Sequence, residues 1–426
     1  MAEVIEGGFT VPMPRMVRVR QIFPREENSV DVLAAMKAMF SGPGFKRLAP
    51  GSRIAVAVGS RGIVDVDKIV GGCIRGLIGL GFDPFIVPAM GSHGGATAEG
   101  QIQILKGHGI TPETMGVPIR SSMEVDKIGE LEDGLPVYMD RQALRSDGLI
   151  VINRIKPHTG FRGDYESGLL KMLTIGLGKH LGATTYHNYG LDAYSRALPR
   201  LGGIVMNATP FIGGIAVTEN SYHQIVDLRF VRKDELLDRE KQLLLRAKKL
   251  MPRIMFDPVN VLIVNDFGKE ISGPGMDPNI TGRPVSPYVE IDDAPAIDKI
   301  AVLNLTPASE GNAVGIGAAD VTTKRFVDSM DLGSTYANSI ASTFLNSAKI
   351  PVYMNNDFEA IQVALKTCTG VRHPHSRIIW IKDTLHLDEI YVSEIFLPEV
   401  QNNPNLVRLG DPEPMRFDGN GNLTYS

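Results

Sequence analysis

The sequence is poor in cysteine, and this scarcity excludes two classes of protein. Among 426 residues there are two cysteines, Cys73 and Cys368. Two cysteines so far apart make neither a disulfide framework nor a cysteine-rich zinc site. We therefore expect a protein of a reducing compartment, the cytoplasm.

A basic surplus and long apolar runs are also missing. The formal net charge is −4 at pH 7, whereas nucleic-acid-binding domains usually carry an excess of lysine and arginine. No run of about 18 apolar residues could span a membrane. The N-terminus lacks the basic start and apolar core of a signal peptide. We therefore expect neither nucleic acid nor a membrane as a partner.

The common nucleotide-binding motifs are absent as well. Gly178-Lys179 is followed by His180, where a Walker A loop needs serine or threonine, and position 173 is leucine where that loop needs glycine. No G-x-G-x-x-G motif opens a helix after the first predicted strand. Ordinary ATP or NAD binding is therefore not supported.

What is present is an alternation of short apolar segments and helical patterns. Strands are predicted at residues 53–59, 84–88, 148–153, 260–265, 300–305 and 377–381. Helices are predicted at residues 65–81, 97–106, 234–251, about 321–348, and 357–367. Repetition of strand, glycine-rich turn and helix is typical of a parallel α/β sheet. The first 40 residues predict a peripheral strand or arm.

The length of the chain exceeds one ordinary hydrophobic core and predicts two domains. Pro252 and Pro258 follow a charged helical segment, and a new series of strands begins at Asn260. We place the boundary near Pro258. This predicts a Rossmann-like parallel α/β domain over residues 1–258, which residues 405–426 can rejoin. A smaller α/β domain over 259–404 would close a cleft that holds the active site.

Three polar, glycine-rich segments directly follow predicted strands. They are residues 59–62, 91–95 and 156–160. Ligands of an open parallel sheet bind beyond the carboxyl ends of its strands, so these segments should share one edge. Arg61 could hold a carboxylate or cap a helix. His93 and His158 could act as general acids or bases or simply bond to backbone.

The segment from residue 158 to residue 187 combines glycines, lysines and histidines. Its glycines would let backbone amides approach a phosphate, and they are Gly160, Gly163 and Gly168. Two lysines could hold a cofactor covalently or electrostatically, namely Lys171 and Lys179. Two histidines are candidate metal ligands, namely His180 and His187.

The ordered set of Arg61, Gly91-Ser92-His93, His158, Lys171 and His187 resembles the nickel-dependent lactate racemases and their homologues. His93 and His158 are 65 residues apart, and Lys171 and His187 are 16 apart, as in that family. The resemblance lies mainly in the first 190 residues, with weaker support to about residue 290.

The resemblance implies an isomerase, a racemase or epimerase of a 2-hydroxy acid. Arg61 would hold the substrate carboxylate. His93 and His158 would exchange the hydroxyl proton while the Cα hydride moves reversibly to the cofactor. Two histidines, one for each face of a planar 2-keto acid, suit inversion of the centre.

The implied cofactor is the nickel-pincer nucleotide, pyridinium-3,5-bisthiocarboxylic acid mononucleotide nickel. Lys171 would carry it through a thioamide link, His187 would bind the nickel, and the loop from Gly160 to Gly168 would hold its phosphate. Separate cofactor-building enzymes are then implied as partners, and a homo-oligomer is compatible with the sequence.

The chain departs from the family pattern at three places. Val58 stands where the family usually has an acidic residue, which leaves the choice of hydroxy acid open. The segment before Lys171 is about three residues longer, which makes Lys179 a competitor for the cofactor link. Lys269 and Arg283, near a loosely similar segment at residues 273–283, are candidates for the substrate-binding cleft wall.

Two other functions compete with racemisation. One is a metal-assisted lyase or dehydratase that acts on a hydroxy acid without the pincer. The other is a non-catalytic homologue that keeps an anion-binding cleft. The presence of all three expected histidines favours the catalytic readings.

Overall fold

The computed structural model describes residues 8–25, 30–41, 48–286, 289–291, 293–371 and 375–424. The chain forms two compact units, one of residues 25–251 and one of residues 1–24 with 252–426. Each contains a largely parallel sheet with helices. The predicted α/β fold class is therefore confirmed.

The elements are numbered in chain order. The strands are β1 Met16–Gln21, β2 Arg53–Val58, β3 Asp83–Pro88, β4 Val125–Glu130, β5 Pro136–Asp140, β6 Gly148–Arg154, β7 Phe211–Glu219, β8 Ile225–Arg232, β9 Val259–Phe267, β10 Ile297–Leu305, β11 Val321–Thr323, β12 Val352–Met354, β13 Ile378–Ile381, β14 Glu389–Ser393 and β15 Leu406–Arg408. The α-helices are α1 Val32–Ser41, α2 Val66–Gly79, α3 Ala98–Gly107, α4 Pro112–Met115, α5 Arg141–Leu144, α6 Leu169–Lys171, α7 Lys179–Tyr189, α8 Leu191–Ala208, α9 Leu236–Leu250, α10 Pro278–Thr281, α11 Lys324–Asp328, α12 Leu332–Ala341, α13 Asp357–Lys366 and α14 Leu397–Asn402.

The unit of residues 25–251 is built on a five-stranded sheet in the order β3-β2-β6-β7-β8. The first four strands are parallel and β8 is antiparallel to β7. Val56, Ile150 and Ile152 have no exposed surface. Continuous apolar runs of this kind are typical of parallel strands that are covered on both faces.

Helix α2 shows how the sequence pattern becomes packing. Ile69, Cys73 and Leu77 recur at helical spacing, and all three are fully buried in the core that includes Val56. Burying each large aliphatic side chain of such a stripe contributes about 1.5–3 kcal/mol. The predicted helix at 65–81 is thus confirmed as α2.

The other unit contains an eight-stranded sheet in the order β12-β11-β10-β9-β13-β14-β1-β15. Strand β1, predicted to be peripheral, pairs antiparallel with both β14 and β15. Its valines Val17 and Val19 are buried, while Arg18 and Arg20 are exposed and both pair with Glu389 on β14. The buried alternate residues explain why β1 is an inner strand of this sheet.

The chain termini belong to different units than the predicted limits of 1–258 and 259–404 imply. Met16 bridges to Glu413, and the amide of Leu423 donates to Asp357 Oδ2 at 2.8 Å. The tail therefore packs with the eight-stranded sheet. It carries little apolar periodicity, so its sequence contains no sign of which sheet it joins.

The predicted helix over about 321–348 is wrong in its first residues and in its continuity. Residues 321–323 form β11, parallel to β10, and the helical part is divided into α11 and α12. Asp331 starts α12 by accepting the Ser334 amide at 2.9 Å. The other predicted strands and helices agree with the observed ones to within about three residues at each end.

Within the part of the chain that the structure describes, no helix has both the length and the apolarity needed to cross a membrane.

Candidate active site

The three glycine-rich segments lie side by side at one edge of the five-stranded sheet. They follow β2, β3 and β6, which are parallel, and β2 is the middle strand of the three. Arg61 therefore stands on the loop between the loop of His93 and the loop of His158. The predicted convergence on one sheet edge is confirmed, and the order of the strands adds that Arg61 is central.

The turn that carries His93 depends on glycine. Gly91 and Gly94 have φ values of +58° and +69°, which favour glycine. A Cβ atom on Gly94 would lie 2.6 Å from the backbone carbon of Gly100. The amide of His93 donates to the carbonyl of Met90 at 3.1 Å. The backbone of this turn therefore has little freedom, and the imidazole is half-buried.

Ser60, which the sequence reasoning did not single out, joins the first two loops. Its Oγ lies within hydrogen-bonding distance of His93 Nδ1. Its carbonyl lies 3.1 Å from His108 Nε2 on the C-terminal side of α3. Ser60 thus fixes the His93 ring through Nδ1. The signal available in the sequence was its place beside Arg61 after a buried strand.

A buried polar chain supports the His93 turn from below. Lys179 has no exposed surface, and its Nζ donates to the carbonyl of Pro88, lies 3.1 Å from Gln101 Oε1 and 3.4 Å from Asp140 Oδ2. Gln101 Nε2 in turn donates to the carbonyl of Gly91 at 3.0 Å and to that of His93 at 3.3 Å. The Lys179 amine is therefore engaged by protein oxygens.

Burial lowers the pKa of Lys179, and the neighbouring Asp140 opposes that shift. The position assigns Lys179 a structural part beneath the turn. Its predicted competition with Lys171 for a cofactor consequently has no support from its surroundings.

Arg61 is exposed on its loop, close enough to Arg154 for their charges to repel. Arg154 pairs with Glu219 at the end of β7, and Glu219 also accepts the amide of Val64 at 3.0 Å. This arrangement ties the loop of Arg61 to the neighbouring strand ends. Positive charge collects where a carboxylate ligand is expected.

The His158 ring is held by its own loop. Its Nδ1 accepts the amide of Gly160 at 2.9 Å, and its backbone amide donates to Glu166 Oε2 at 2.7 Å. The ring stacks on Phe161 with 4.0 Å between centroids. Glu166 is buried and also pairs with Lys248 at 2.7 Å. Several contacts thus fix one orientation of the imidazole.

Lys171 meets His158 directly. Its Nζ lies 2.6 Å from His158 Nε2. Desolvation lowers the pKa of Lys171 to about 7, helped by the positive charges of Arg61 and Lys156. The pKa of His158 is also held well below its ordinary value, first by desolvation and then by Lys171. The structure therefore unites two predicted site residues that are 13 positions apart.

The three predicted phosphate-binding glycines have different surroundings. The Gly160 amide is used by His158, Gly163 is exposed, and Gly168 is buried. A Cβ atom on Gly168 would lie 2.1 Å from Glu240 Oε1, and Glu240 Oε2 accepts the amide of Leu170 at 3.0 Å. The carboxyl of Glu240 thus occupies the helix start that was expected to face a phosphate.

Glu240 comes from helix α9, far along the chain, and the sequence reasoning did not identify it. It lies on the buried stripe of α9 with Leu236 and Leu243, and burial raises its pKa to about 8. A lone carboxylate on an apolar helix stripe was the available signal. It indicates a specific buried acceptor.

His187 lies in the last turn of α7 and is half-buried, whereas His180 on the same helix is exposed. In the described ranges, no group of three or more histidine, cysteine, aspartate or glutamate side chains is arranged to hold a metal ion. A metal ion at His187 would therefore need ligands that a cofactor supplies.

Lys269 and Arg283 lie in the other unit. Lys269 Nζ donates to Asn338 Oδ1 at 2.6 Å. Arg283 pairs with Asp320 at 3.0 Å and donates to the carbonyls of Ile297 and Asp298 at 3.0 and 2.6 Å. The Arg283 guanidinium therefore ties its loop to β10, and its substrate contact stays a prediction.

A groove of 1030 Å³ lies at the opposite edge of the five-stranded sheet, around the starts of β6 and β7. Asp147, Pro210 and Arg232 are among its lining residues, and none of the predicted site residues lines it. Chemistry therefore points to the carboxyl edge, where the polar loops meet, and not to this groove.

Residues 15–196 match the family model of the lactate racemase N-terminal domain. Among solved structures, a protein from Thermotoga maritima is 13% identical, with 84% of this chain and 99% of that chain covered and a TM-score of 0.52. The lactate racemase apoprotein from Thermoanaerobacterium thermosaccharolyticum is 12% identical, with coverages of 81% and 99% and a TM-score of 0.45. No curated protein matches the chain. The first of these structural likenesses supports the α/β fold.

Proposed function

Because residues 15–196 place this chain in the lactate racemase-like family, we propose that it racemises or epimerises a 2-hydroxy acid. The observation that carries the proposal is the strand order at the sheet edge. Arg61 follows the middle strand, and His93 and His158 follow the strands on either side of it. A carboxylate held centrally between two acid–base groups is the arrangement that inversion of a carbon centre requires.

Substrate binding would depend on the positive loops. The Arg61 guanidinium can hold a carboxylate through two parallel hydrogen bonds. Lys156 and Lys171 add positive charge around His158. Val58, at the end of β2, replaces the acidic residue of the family pattern and is buried. We therefore expect a substrate that is anionic and lacks a group that needs a carboxylate partner at this position.

Proton transfer would run through Nε2 of each histidine. Ser60 engages Nδ1 of His93, and the Gly160 amide engages Nδ1 of His158. A lowered pKa keeps His158 neutral near pH 7, the state in which it can accept the hydroxyl proton. In the reverse direction the same atom returns that proton.

The residues of this unit fit the nickel-pincer nucleotide. Lys171 is an amine of low pKa, suited to a covalent link, and His187 offers one imidazole to a metal whose other ligands the cofactor would carry. When bound, the cofactor would take up and return the Cα hydride of the substrate. The chain's own residues would bind the carboxylate and move the hydroxyl proton.

The test is to co-express the chain with the cofactor-building enzymes, supply nickel, and measure intact mass and bound metal. Each 2-hydroxy acid of a panel is then offered as one enantiomer with deuterium at Cα. We expect inversion with the deuterium retained at Cα, since the hydride route does not exchange it with water. Loss of deuterium or formation of a dehydrated product would favour a lyase. Anion binding without inversion would favour a non-catalytic homologue.

A further inference from the structure

The protonation of His158 can be read from its hydrogen bonds. The Gly160 amide donates to Nδ1 at 2.9 Å, so Nδ1 presents a lone pair and carries no proton. A neutral imidazole has one N–H. That proton must therefore be on Nε2.

The same reasoning extends to the amine of Lys171. Its Nζ lies 2.6 Å from His158 Nε2. Because Nε2 carries the proton and donates it, Nζ must accept with its lone pair, which only a neutral amine has. An ammonium group there would face a ring without any proton, an imidazolate, which does not form near neutral pH.

The surroundings of Lys171 favour the neutral amine. Arg61 and Lys156 lie close enough for their charges to oppose an ammonium, and the side chain is withdrawn from water. Lys179 gives an internal contrast, since its Nζ meets the oxygens of Pro88, Gln101 and Asp140. One lysine therefore faces a donor, and the other faces acceptors.

We propose that, in the chain without cofactor, Lys171 is a carbonyl-reactive amine that condenses with 2-oxo acids. The Nζ lone pair would attack the carbonyl carbon, forming the N–C bond as the carbonyl electrons move to oxygen. A proton passes from nitrogen to that oxygen, and His158 Nε2–H supplies the second proton that lets the hydroxyl leave as water. The products are an imine and one water molecule, with no change of oxidation state.

The carboxylate of a 2-oxo acid explains the choice of substrate class. Arg61 and Lys156 act electrostatically on Lys171, so an anionic group beside the carbonyl is drawn to the same place. A neutral ketone has no such attraction. This activity does not depend on hydride transfer, and it goes beyond the racemase proposal.

The experiment uses the full chain expressed without the cofactor-building enzymes. The protein is incubated with pyruvate and cyanoborohydride between pH 5 and 10, and the reduced adduct is located by intact mass and peptide mapping. Acetone replaces pyruvate in a parallel series. Lys171→Arg is the test variant, and Lys241→Arg is its control, because Lys241 is an exposed lysine paired with Asp164 in the same unit.

We expect one carboxyethyl group on Lys171, with labelling that rises through a midpoint near pH 7 because the pKa of Lys171 is lowered to about 7. At pH 7 it should react ~100-fold faster than an ordinary lysine of pKa about 10.4. Pyruvate should label it more than acetone does, and Lys241→Arg should react like the parent chain. Labelling spread over exposed lysines, or a midpoint near pH 10 at Lys171, would overturn the proposal. The mapped midpoint in the parent chain decides the matter even where Lys171→Arg does not fold.

Discussion

Lys179 Nζ lies 3.1 Å from Gln101 Oε1, and through Gln101 it supports the carbonyls of Gly91 and His93. The contact connects the first residue of α7 to the turn that carries a proposed catalytic histidine. Removal of this buried cation should therefore affect both stability and the geometry of the site.

Lys179→Met should destabilise the fold by about 3–5 kcal/mol, because it leaves Asp140 as a buried charge without its partner. Urea unfolding measures this change. Lys241→Met is the matched control, since its exposed pair with Asp164 is worth about 0–1 kcal/mol. Equal stabilities of the two variants would show that the buried chain is not a support.

Ser60→Ala should reduce racemisation about tenfold while leaving stability unchanged. The hydroxyl holds Nδ1 of His93, and a group that orients a catalytic side chain typically contributes a factor of this size or more. Initial rates and thermal melts are the measurements. Ser121→Ala, which removes a hydrogen bond to the Ala98 carbonyl, is the control. A parent-like rate for Ser60→Ala would remove Ser60 from the site.

His93→Ala and His158→Ala should each reduce turnover by at least about 10²-fold without unfolding the chain, since each removes a proposed acid–base group. Chiral analysis of the product measures turnover, and circular dichroism checks the fold. If both variants kept near-normal activity, the acid–base assignment would be wrong.

His187→Ala should lose bound nickel in the protein loaded with cofactor, because the variant lacks the proposed protein ligand. Metal analysis after desalting gives the occupancy. His180→Ala is the matched control, because His180 is an exposed histidine on the same helix. Full occupancy in His187→Ala would exclude His187 as a ligand.

The buried carboxyl of Glu240 predicts a dependence of stability on pH. Its pKa is raised from 4.5 to about 8 in the folded chain. Between these values the folded state keeps a proton that the unfolded state has released, so stability falls as pH rises through this window. Glu240→Gln removes the titration and should gain stability relative to the parent chain from pH 5 to pH 8, by on the order of 3 kcal/mol.

Urea unfolding at several pH values measures this difference. Asp238→Asn, at an exposed position of the same helix, should follow the parent chain. Parallel pH profiles for the parent chain and Glu240→Gln would contradict a raised pKa.

The sequence by itself determined the local elements and the type of site. Apolar runs and helical spacing predicted β2, α2, β3 and β6, because burial of a strand or helix face leaves a periodic pattern in neighbouring residues. The rule that ligands bind beyond parallel strands then located Arg61, His93 and His158 at one edge.

The tertiary structure alone decided which groups meet. Strand order made Arg61 central, and folding brought Glu240 to the amide of Leu170 from 70 residues away. The burial of Lys179, the pairing of Lys171 with His158, and the entry of β1 into the second sheet were decided in the same way. Periodicity reports whether a side chain is buried, but its partner there is set by long-range packing, which no local pattern contains.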